Sequence, residues 1–407
     1  MRAPGTARRW AMLGVGLLDQ AVSAYFVHGA AFLLPELGRR GYRLAEAGVL
    51  VAMPTVGVML TLIMWGIAVD RFGERRVLIT GLTLTAAAGA AAALSGSVVG
   101  LGAFLLLGGM AAASSNAASG RIVVGWFPAR RRGLAMGIRQ MAQPLGVGIA
   151  ALTVPTLAQR LGLEGALWLP AALAAVAAVT TAVLVVDPPR PSRAHAERTG
   201  QLASPYRRSS FLWRVHGVSV LLVVPQFTVW TFSLVWLIAD RGWAAGPAGL
   251  LVALTQLLGA AGRLLAGQLS DSVGSRMRPL RWVAVAAALT MLALGVADEL
   301  VRGRASLLPV AVLVVASVIT VADNGLAFTS IAEVAGPFWS GRALGAQNTA
   351  QFLAASAVAP GVGALIGLVG YGWAFALVAV CPAVAVPLVP GLRAERAADR
   401  ERATQPV

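Results

Sequence analysis

The feature that most constrains the fold of this chain is a series of long apolar runs with few or no charged residues. Residues Ala47 to Val69 carry no charge, and neither do residues Val77 to Gly102. A helix needs about 20 apolar residues to cross the hydrocarbon core of a bilayer. Apolar residues make up 57% of the 407 positions and charged residues only 12%. The sequence therefore predicts an all-α, polytopic membrane protein.

The chain contains twelve apolar runs of this kind, and each predicts one transmembrane helix. Short polar loops separate most of them. The predicted spans cover approximately residues 10–34, 47–69, 77–94, 98–127, 133–157, 165–186, 211–239, 248–270, 280–297, 307–332, 344–369 and 373–392.

The distribution of arginine predicts the orientation in the membrane. Because the number of spans is even, both chain ends lie on one side. The chain ends and the even-numbered loops hold about three times as many arginines as the odd-numbered loops. Positively charged loops stay preferentially in the cytoplasm, so both termini are expected to be cytoplasmic. The same topology explains the net charge of +16 without a nucleic-acid partner, since no soluble basic domain is present.

Composition also argues against several classes of site. Cys381 is the only cysteine, and His28, His195 and His216 are scattered, so neither a disulfide nor a metal site is predicted. All 33 basic residues are arginine, which excludes a Walker A lysine. No catalytic motif of the Gly-x-Ser-x-Gly or His-x-x-x-His kind occurs. We therefore expect no enzyme activity, no cofactor and no metal, and a monomer in the bilayer that works on a small molecule.

A short polar segment, Gly66 to Arg76, separates the two uncharged runs. Asp70 can cap or pair with a neighbouring helix end, and Gly73 allows a tight reversal. A second segment, Gly267 to Arg276, repeats the glycine, aspartate and glycine 201 residues later. Two such loops at matching points predict a duplicated arrangement of helices.

This pair of loops resembles the signature loop between the second and third helices of the major facilitator superfamily of bacterial secondary transporters. The resemblance implies twelve helices in two six-helix bundles related as parallel repeats, and transport by alternating access. Ser272 departs from the pattern, because the family usually has a basic residue there, and this puts an ion pair at that position in doubt. The residues that the resemblance assigns to the gating loops are Gly66, Asp70, Arg71, Gly73, Arg75, Gly267, Asp271 and Gly274.

A weak internal repeat supports two halves. At an offset of 208 residues, Asn116 matches Asn324, Gly137 matches Gly345, Gln140 matches Asn348, and Gln143 matches Gln351. A segment rich in Pro, Arg and Ser follows the sixth span. We therefore predict bundles at 1–187 and 211–407, joined by a cytoplasmic linker at 188–210, with the substrate site between them near the middle of the membrane.

Ionisable residues inside spans cost about 2.5 to 3.5 kcal/mol on insertion scales, so each is a functional candidate. Asp19 lies near the middle of the first span, and Asp323 lies near the middle of the tenth. Both are predicted to couple transport to protons, with His28 as a further candidate. The alternative for each aspartate is a permanent ion pair with a buried arginine.

Arginines within the spans suggest an anion site. Arg139 lies in the fifth span, and Arg263 is similar to the arginine that meets the substrate carboxylate in monocarboxylate transporters. Arg139 can instead be a charge partner of Asp19 or Asp323. The full set of predicted substrate-binding residues comprises Arg139, Arg263, Gln140, Gln143, Asn116, Asn324, Gln347, Asn348, Gln226 and Tyr25.

The predicted function is proton-coupled secondary transport of a small, monocarboxylate-like organic anion. Arg121, Arg139 and Arg263 outnumber Asp19 and Asp323, which leaves positive charge for an anion to neutralise. The alternative is proton-coupled export of amphipathic drugs, which the tryptophan-rich seventh span also suits. Either way the coupling ion is predicted to be the proton, and the location the inner cell membrane.

Overall fold

The computed structural model describes residues 5–42, 44–207, 209–301, 306–391 and 394–395. Within these ranges the chain is helical, with short connections. The α-helices are α1 (Thr6–Gly29), α2 (Leu34–Arg39), α3 (Leu44–Phe72), α4 (Glu74–Ala93), α5 (Val98–Trp126), α6 (Ala129–Gln140), α7 (Ala142–Leu184), α8 (Arg193–Arg198), α9 (Phe211–Val235), α10 (Ala245–Val273), α11 (Met277–Leu300), α12 (Leu308–Ile319), α13 (Asp323–Ala335), α14 (Ser340–Val378) and α15 (Val380–Leu388).

Ten helical stretches of the described chain are long and apolar enough to cross a membrane. Two of them, Ala129–Leu184 and Ser340–Leu388, have 56 and 49 residues, more than twice the roughly 20 residues that one crossing requires. Each contains one glycine with a positive φ, 74° at Gly162 and 83° at Gly370, where the helix reverses. These glycines lie 208 residues apart, as the internal repeat predicts, and counting each stretch as two gives twelve spans. Leu392, the predicted end of the last span, lies outside the described residues.

Two predicted spans, the fifth and the tenth, are interrupted near their middle. The fifth breaks at Met141, between α6 and α7, and the tenth breaks at residues 320–322, between α12 and α13. Pro144 explains the first break, because it has no N–H for the carbonyl of Gln140 four residues earlier. Each break leaves backbone groups without helical partners.

The helices before and after the linker pack into two groups that meet along two seams. At these seams α3 packs against α14, and α6 packs against α10. The outer surface is apolar: Leu60, Leu152, Leu257 and Leu289 are each more than 60% exposed. Such a surface suits contact with lipid rather than water.

The linker packs against the helix ends rather than hanging free. The Arg190 guanidinium donates to the carbonyl oxygens of Val69 and Asp70 and pairs with Glu74. Further along, the Tyr206 hydroxyl lies 2.9 Å from His216 Nε2, and Trp339 Nε1 donates to the Leu202 carbonyl. The linker thus contacts helices on both sides of it, and the predicted domain bounds at 187 and 211 stay a prediction. Of the predicted carboxyl-terminal tail, residues 396–407 lie outside the described ranges.

Candidate functional site

A cavity lies between the two groups of helices at the middle of the bundle. Together with its open side it encloses about 780 Å³. Helices α1, α5, α6, α7, α9, α10, α13 and α14 contribute its polar lining. The polar lining residues are two arginines, Arg139 and Arg263, with His28, Ser23 and eight amides: Gln20, Asn116, Gln140, Gln143, Gln226, Asn324, Asn348 and Gln351.

The amides form matching pairs on the two sides of the cavity. In the first half, Gln20 Nε2 donates to Asn116 Oδ1 at 2.9 Å. In the second half, Asn324 Nδ2 donates to Gln226 Oε1 at 3.0 Å, and Asn324 Oδ1 accepts from Gln351 Nε2 at 3.1 Å. Asn116 and Asn324 are equivalent in the 208-residue repeat, so the repeat places the same chemistry on facing walls.

Arg139 lies in the last turn of α6 and is only 2% exposed. Its guanidinium donates to Ser119 Oγ at 2.8 Å, to Gln140 Oε1 at 2.6 Å and to the Asn116 carbonyl at 3.0 Å. It also lies 5.6 Å from the ring centre of Phe328. The neutral acceptors fix the position of the guanidinium but leave its charge uncompensated.

Arg263 lies on α10 in the second half and contacts the break between α6 and α7 in the first half. Its Nη1 donates to the Gln140 carbonyl at 2.6 Å, the oxygen that Pro144 leaves without a helical partner. A cation at a helix C-terminus is also favoured by the helix dipole. Arg263 Nε is buried and has no hydrogen-bond partner, so one charge-carrying donor is unsatisfied.

Comparison with the other buried arginines sets these two apart. Five arginines are buried in the described part of the chain, and Arg121, Arg241 and Arg276 each pair with a carboxylate. Within the same ranges, neither Arg139 nor Arg263 has a carboxylate at ion-pair distance. The cavity therefore carries two positive charges that the described residues do not neutralise by direct pairing.

The two intramembrane aspartates lie behind the cavity lining. Asp19 is fully buried, and its Oδ2 accepts from the Thr181 hydroxyl at 2.8 Å, while Oδ1 has no partner. Asp323 begins α13 and is 1% exposed, and neither of its carboxylate oxygens has a hydrogen-bond partner. Within the described ranges neither lies at ion-pair distance from an arginine, although Asp323 is close enough to Arg263 for the two charges to interact. The alternative of permanent pairing with a buried arginine therefore stays a prediction.

Three other predicted residues have different surroundings. His28 lines the cavity, with Nε2 3.4 Å from Gln143 Nε2. The Tyr25 hydroxyl lies 2.7 Å from Thr153 Oγ1, and Gln347 Oε1 lies 2.5 Å from His216 Nδ1. Tyr25 and Gln347 fall outside the cavity lining, and their contact with a substrate stays a prediction.

The first signature loop holds the end of a helix from the other half. Asp70 accepts from the backbone N–H groups of Gly341 and Arg342 at 2.8 and 3.0 Å, and from Arg342 Nε at 2.9 Å. The predicted capping of a neighbouring helix end by Asp70 is thus confirmed, with α14 as that helix. We call this end of the bundle the Asp70 end.

The second signature loop makes the reciprocal contact. Asp271 accepts from the N–H groups of Gly133 and Leu134 in α6, both at 2.9 Å. Arg276 Nη1 donates to it at 2.6 Å. Ser272 cannot form an ion pair, and the Asp271 carboxylate pairs instead with Arg276, five residues after it.

Glycines let the two halves touch at the Asp70 end. A β-carbon on Gly66 would overlap the carbonyl oxygen of Gly341, and a β-carbon on Gly267 would overlap that of Gly133. Both contacts cross the seams α3–α14 and α6–α10. The cavity is therefore closed on the Asp70 side by backbone packing that only glycine permits.

The remaining loop residues shape the turns. Gly73 has a φ of 93°, and Gly274 ends α10 with a φ of 66°. Arg75 donates its N–H to Asp187 Oδ1 at 2.6 Å and its guanidinium to the Ala182 carbonyl, and burial raises the pKa of the Asp187 carboxyl. The Arg71 guanidinium lies 5.3 Å from the ring centre of Phe72.

Several lining residues were absent from the predicted set: Gln20, Ser23, Gln351, Phe227, Phe328 and Phe352. Gln351 could have been predicted as a lining residue, because it matches Gln143 in the 208-residue repeat. Gln20 and Ser23 lie three residues apart on α1, a helical spacing that places both on one face. For the three phenylalanines the sequence offers no signal that separates them from lipid-facing residues.

Comparison with known proteins agrees with this architecture. Residues 17–359 match the family model described as Major Facilitator Superfamily. An uncharacterized MFS-type transporter of Mycobacterium tuberculosis is 51% identical over 387 residues, covering 95% of this chain and 86% of that protein. The glycerol-3-phosphate transporter of Bacillus subtilis is 23% identical over 266 residues, covering 59% of this chain and 60% of that protein. The structure of the proton:xylose symporter XylE is similar in fold, with a TM-score of 0.76, 16% identity, and coverage of 95% of this chain and 97% of that one.

Proposed function

Because this chain belongs to the major facilitator superfamily, we propose that it is a secondary transporter that moves a small organic anion together with protons. The central cavity is the proposed substrate site. In this proposal, the bundles at 1–187 and 211–407 rock about it while the linker at 188–210 joins them. Both termini are proposed to be cytoplasmic, which makes the Asp70 end the cytoplasmic end and the present form outward-facing.

The observation that carries the anion proposal is a pair of buried cavity arginines without a carboxylate at ion-pair distance in the described part of the chain. Burying a guanidinium without a carboxylate partner is costly, and in a membrane such a charge marks a substrate or ion pathway. Arg139 and Arg263 both line the cavity and lack an ion-pair partner within the described ranges. A bound carboxylate would supply the missing negative charge and accept from Arg263 Nε.

The aspartates support coupling to protons. Asp19 and Asp323 are buried without ion pairs, and each lies on a helix that also lines the cavity. A carboxyl group in this position can take up a proton when water reaches it from one side and release it to the other. His28 lies on the same helix as Asp19 and is the proposed relay at the cavity wall.

The glycerol-3-phosphate transporter of Bacillus subtilis, whose name states an anionic substrate, is compatible with this proposal. The cavity lining gives less support to the export of amphipathic drugs. Ten of its 19 residues are amides or arginines, and three are aromatic. Amphipathic compounds are better matched by a mainly apolar wall.

A thermal-unfolding screen of the detergent-purified protein tests the proposal. The ligands are small carboxylates, inorganic anions and lipophilic cations, each at acidic and at neutral pH. A ligand at about 100 times its Kd stabilises the folded state by about 2.7 kcal/mol. Stabilisation by a carboxylate, larger at acidic pH, is the expected result. Stabilisation by lipophilic cations alone would contradict the anion proposal.

A further inference from the structure

We propose that the anion carries several hydroxyl groups, as a sugar acid does, and is not a plain aliphatic carboxylate. This inference rests on the proposed function, in which the arginines bind the acid group. It adds a second requirement, which comes from the amides and not from the charges.

One acceptor in the cavity lining, an oxygen of Gln20, is unsatisfied. Gln20 is 8% exposed and lines the cavity, and its Oε1 has no hydrogen-bond partner. Its Nε2 donates a hydrogen bond to Asn116 Oδ1. A buried acceptor without a donor is unfavourable by about 1 to 3 kcal/mol. An ionised carboxylate cannot satisfy this oxygen because it has no proton to donate, whereas a hydroxyl group can.

The residues that line the cavity include both an unsatisfied donor and an unsatisfied acceptor. Arg263 Nε is an unpaired cationic donor, and Gln20 Oε1 is an unpaired neutral acceptor. They belong to different halves of the protein, on α10 and α1. A molecule with an acid group and hydroxyl groups satisfies both at once, and thereby contacts both halves.

Amide side chains are numerous in the cavity lining and form hydrogen-bonded pairs. Eight amide side chains line the cavity, and two matching sets face each other as Gln20 with Asn116 and Gln226 with Asn324. Each amide has two N–H donors and one acceptor oxygen, so it can bind a hydroxyl group that either donates or accepts a hydrogen bond. An aliphatic chain in this position would leave these groups without partners after displacing water, which disfavours its binding.

Two pairs of acids test the inference, the first with the same six-carbon chain and the second with six-membered rings of similar size. Gluconate is compared with hexanoate, and glucuronate with cyclohexanecarboxylate, while sorbitol supplies the hydroxyl groups without the acid. Affinity is measured on the purified protein from ligand-dependent stabilisation. In at least one pair the hydroxylated acid should bind roughly tenfold tighter or better, and sorbitol should bind more weakly than gluconate.

The variant Gln20→Leu removes the unpaired acceptor. It should weaken binding of the hydroxylated acid roughly tenfold and leave the affinity for its plain counterpart unchanged. That second acid also reports whether the variant is folded. Gln159→Leu, at an exposed amide of α7 away from the cavity, is the matched control and should change neither affinity.

The outcomes separate this inference from the proposed function. If both plain acids bind as tightly as their hydroxylated partners, the hydroxyl requirement is overturned and the anion proposal stands. If sorbitol binds as tightly as gluconate, the anion proposal fails, and this inference fails with it. If the Gln20 oxygen is specific for hydroxyl groups, Gln20→Leu cannot weaken binding of the two acids equally. An equal decrease in affinity for both acids in Gln20→Leu, with unchanged affinities in Gln159→Leu, would overturn that role.

Discussion

Two buried arginines dominate the chemistry of the cavity at the scale of single residues. Arg139 is held by three neutral acceptors, and Arg263 caps the carbonyl that Pro144 leaves free. The sequence predicted both residues because an arginine within a span is rare. It did not predict that Arg263 would hold the break in α6–α7, since this contact joins positions 123 residues apart.

Replacing either arginine by glutamine should weaken carboxylate binding. A hydrogen bond to a charged group contributes about 1.5 to 3 kcal/mol, so we expect an increase in Kd of roughly tenfold or more. The measurement is carboxylate affinity for Arg139→Gln and Arg263→Gln. Arg160→Gln, at an exposed position, is the control. Unchanged affinity in both cavity variants would leave the anion without its proposed ligands.

The aspartates should act in coupling and not in binding. Asp19→Asn and Asp323→Asn keep the size of the side chain and remove the exchangeable charge, so proton-driven accumulation should be lost while counterflow of substrate is retained. Accumulation and counterflow are compared in proteoliposomes, with Asp240→Asn at a half-exposed site as the control. Normal accumulation in both variants would remove these residues from coupling.

At the scale of helices, two aspartates that bind backbone N–H groups of the other half hold the Asp70 end closed. Asp70 caps α14, Asp271 accepts from N–H groups in the second turn of α6, and the two contacts are equivalent under the internal repeat. The sequence predicted the loops and the capping role of Asp70. The identity of the capped helices could not be predicted, because it depends on how the two halves pack. The break at residues 320–322 could not be predicted either, because none of these three residues is a proline or a glycine.

Asp70→Asn and Asp271→Asn should speed opening of the Asp70 end and change the turnover rate without changing substrate affinity. An amide is uncharged and has one acceptor oxygen where the carboxylate has two, and loss of a helix cap costs about 0.5 to 2 kcal/mol. Turnover and affinity are measured separately on the same preparations. A change of affinity alone, with normal turnover, would show that the loops act on the binding site and not on the cycle.

Gly66→Val should block closure at the same end. Its side chain would overlap the Gly341 backbone, so the two halves cannot approach, and the closed form is destabilised relative to forms in which the seam is open. We expect transport to be lost while the protein still inserts and folds. Gly14→Val in α1, where a β-carbon meets nothing within 4 Å, is the control. Full transport by Gly66→Val would contradict the closed seam.

At the scale of the whole molecule, duplication explains why so much was predictable. Length, hydropathy and the repeat predicted the helical membrane fold, and the 208-residue offset recurs in the turn glycines Gly162 and Gly370 and in the facing amides Asn116 and Asn324. The side-chain partners of Asp19 could not be predicted. Thr181, which holds it, is 162 residues away, and hydroxyl groups are too common in such helices to give a signal.

We propose that the anion and the proton move together through this cavity. The most direct test is to load proteoliposomes with a pH-sensitive dye and impose an inward gradient of the carboxylate identified by thermal unfolding. We expect acidification of the interior that requires the carboxylate, is absent in Arg263→Gln, and disappears in Asp19→Asn while counterflow continues. Proton movement in the opposite direction, driven by lipophilic cations and indifferent to carboxylates, would contradict it.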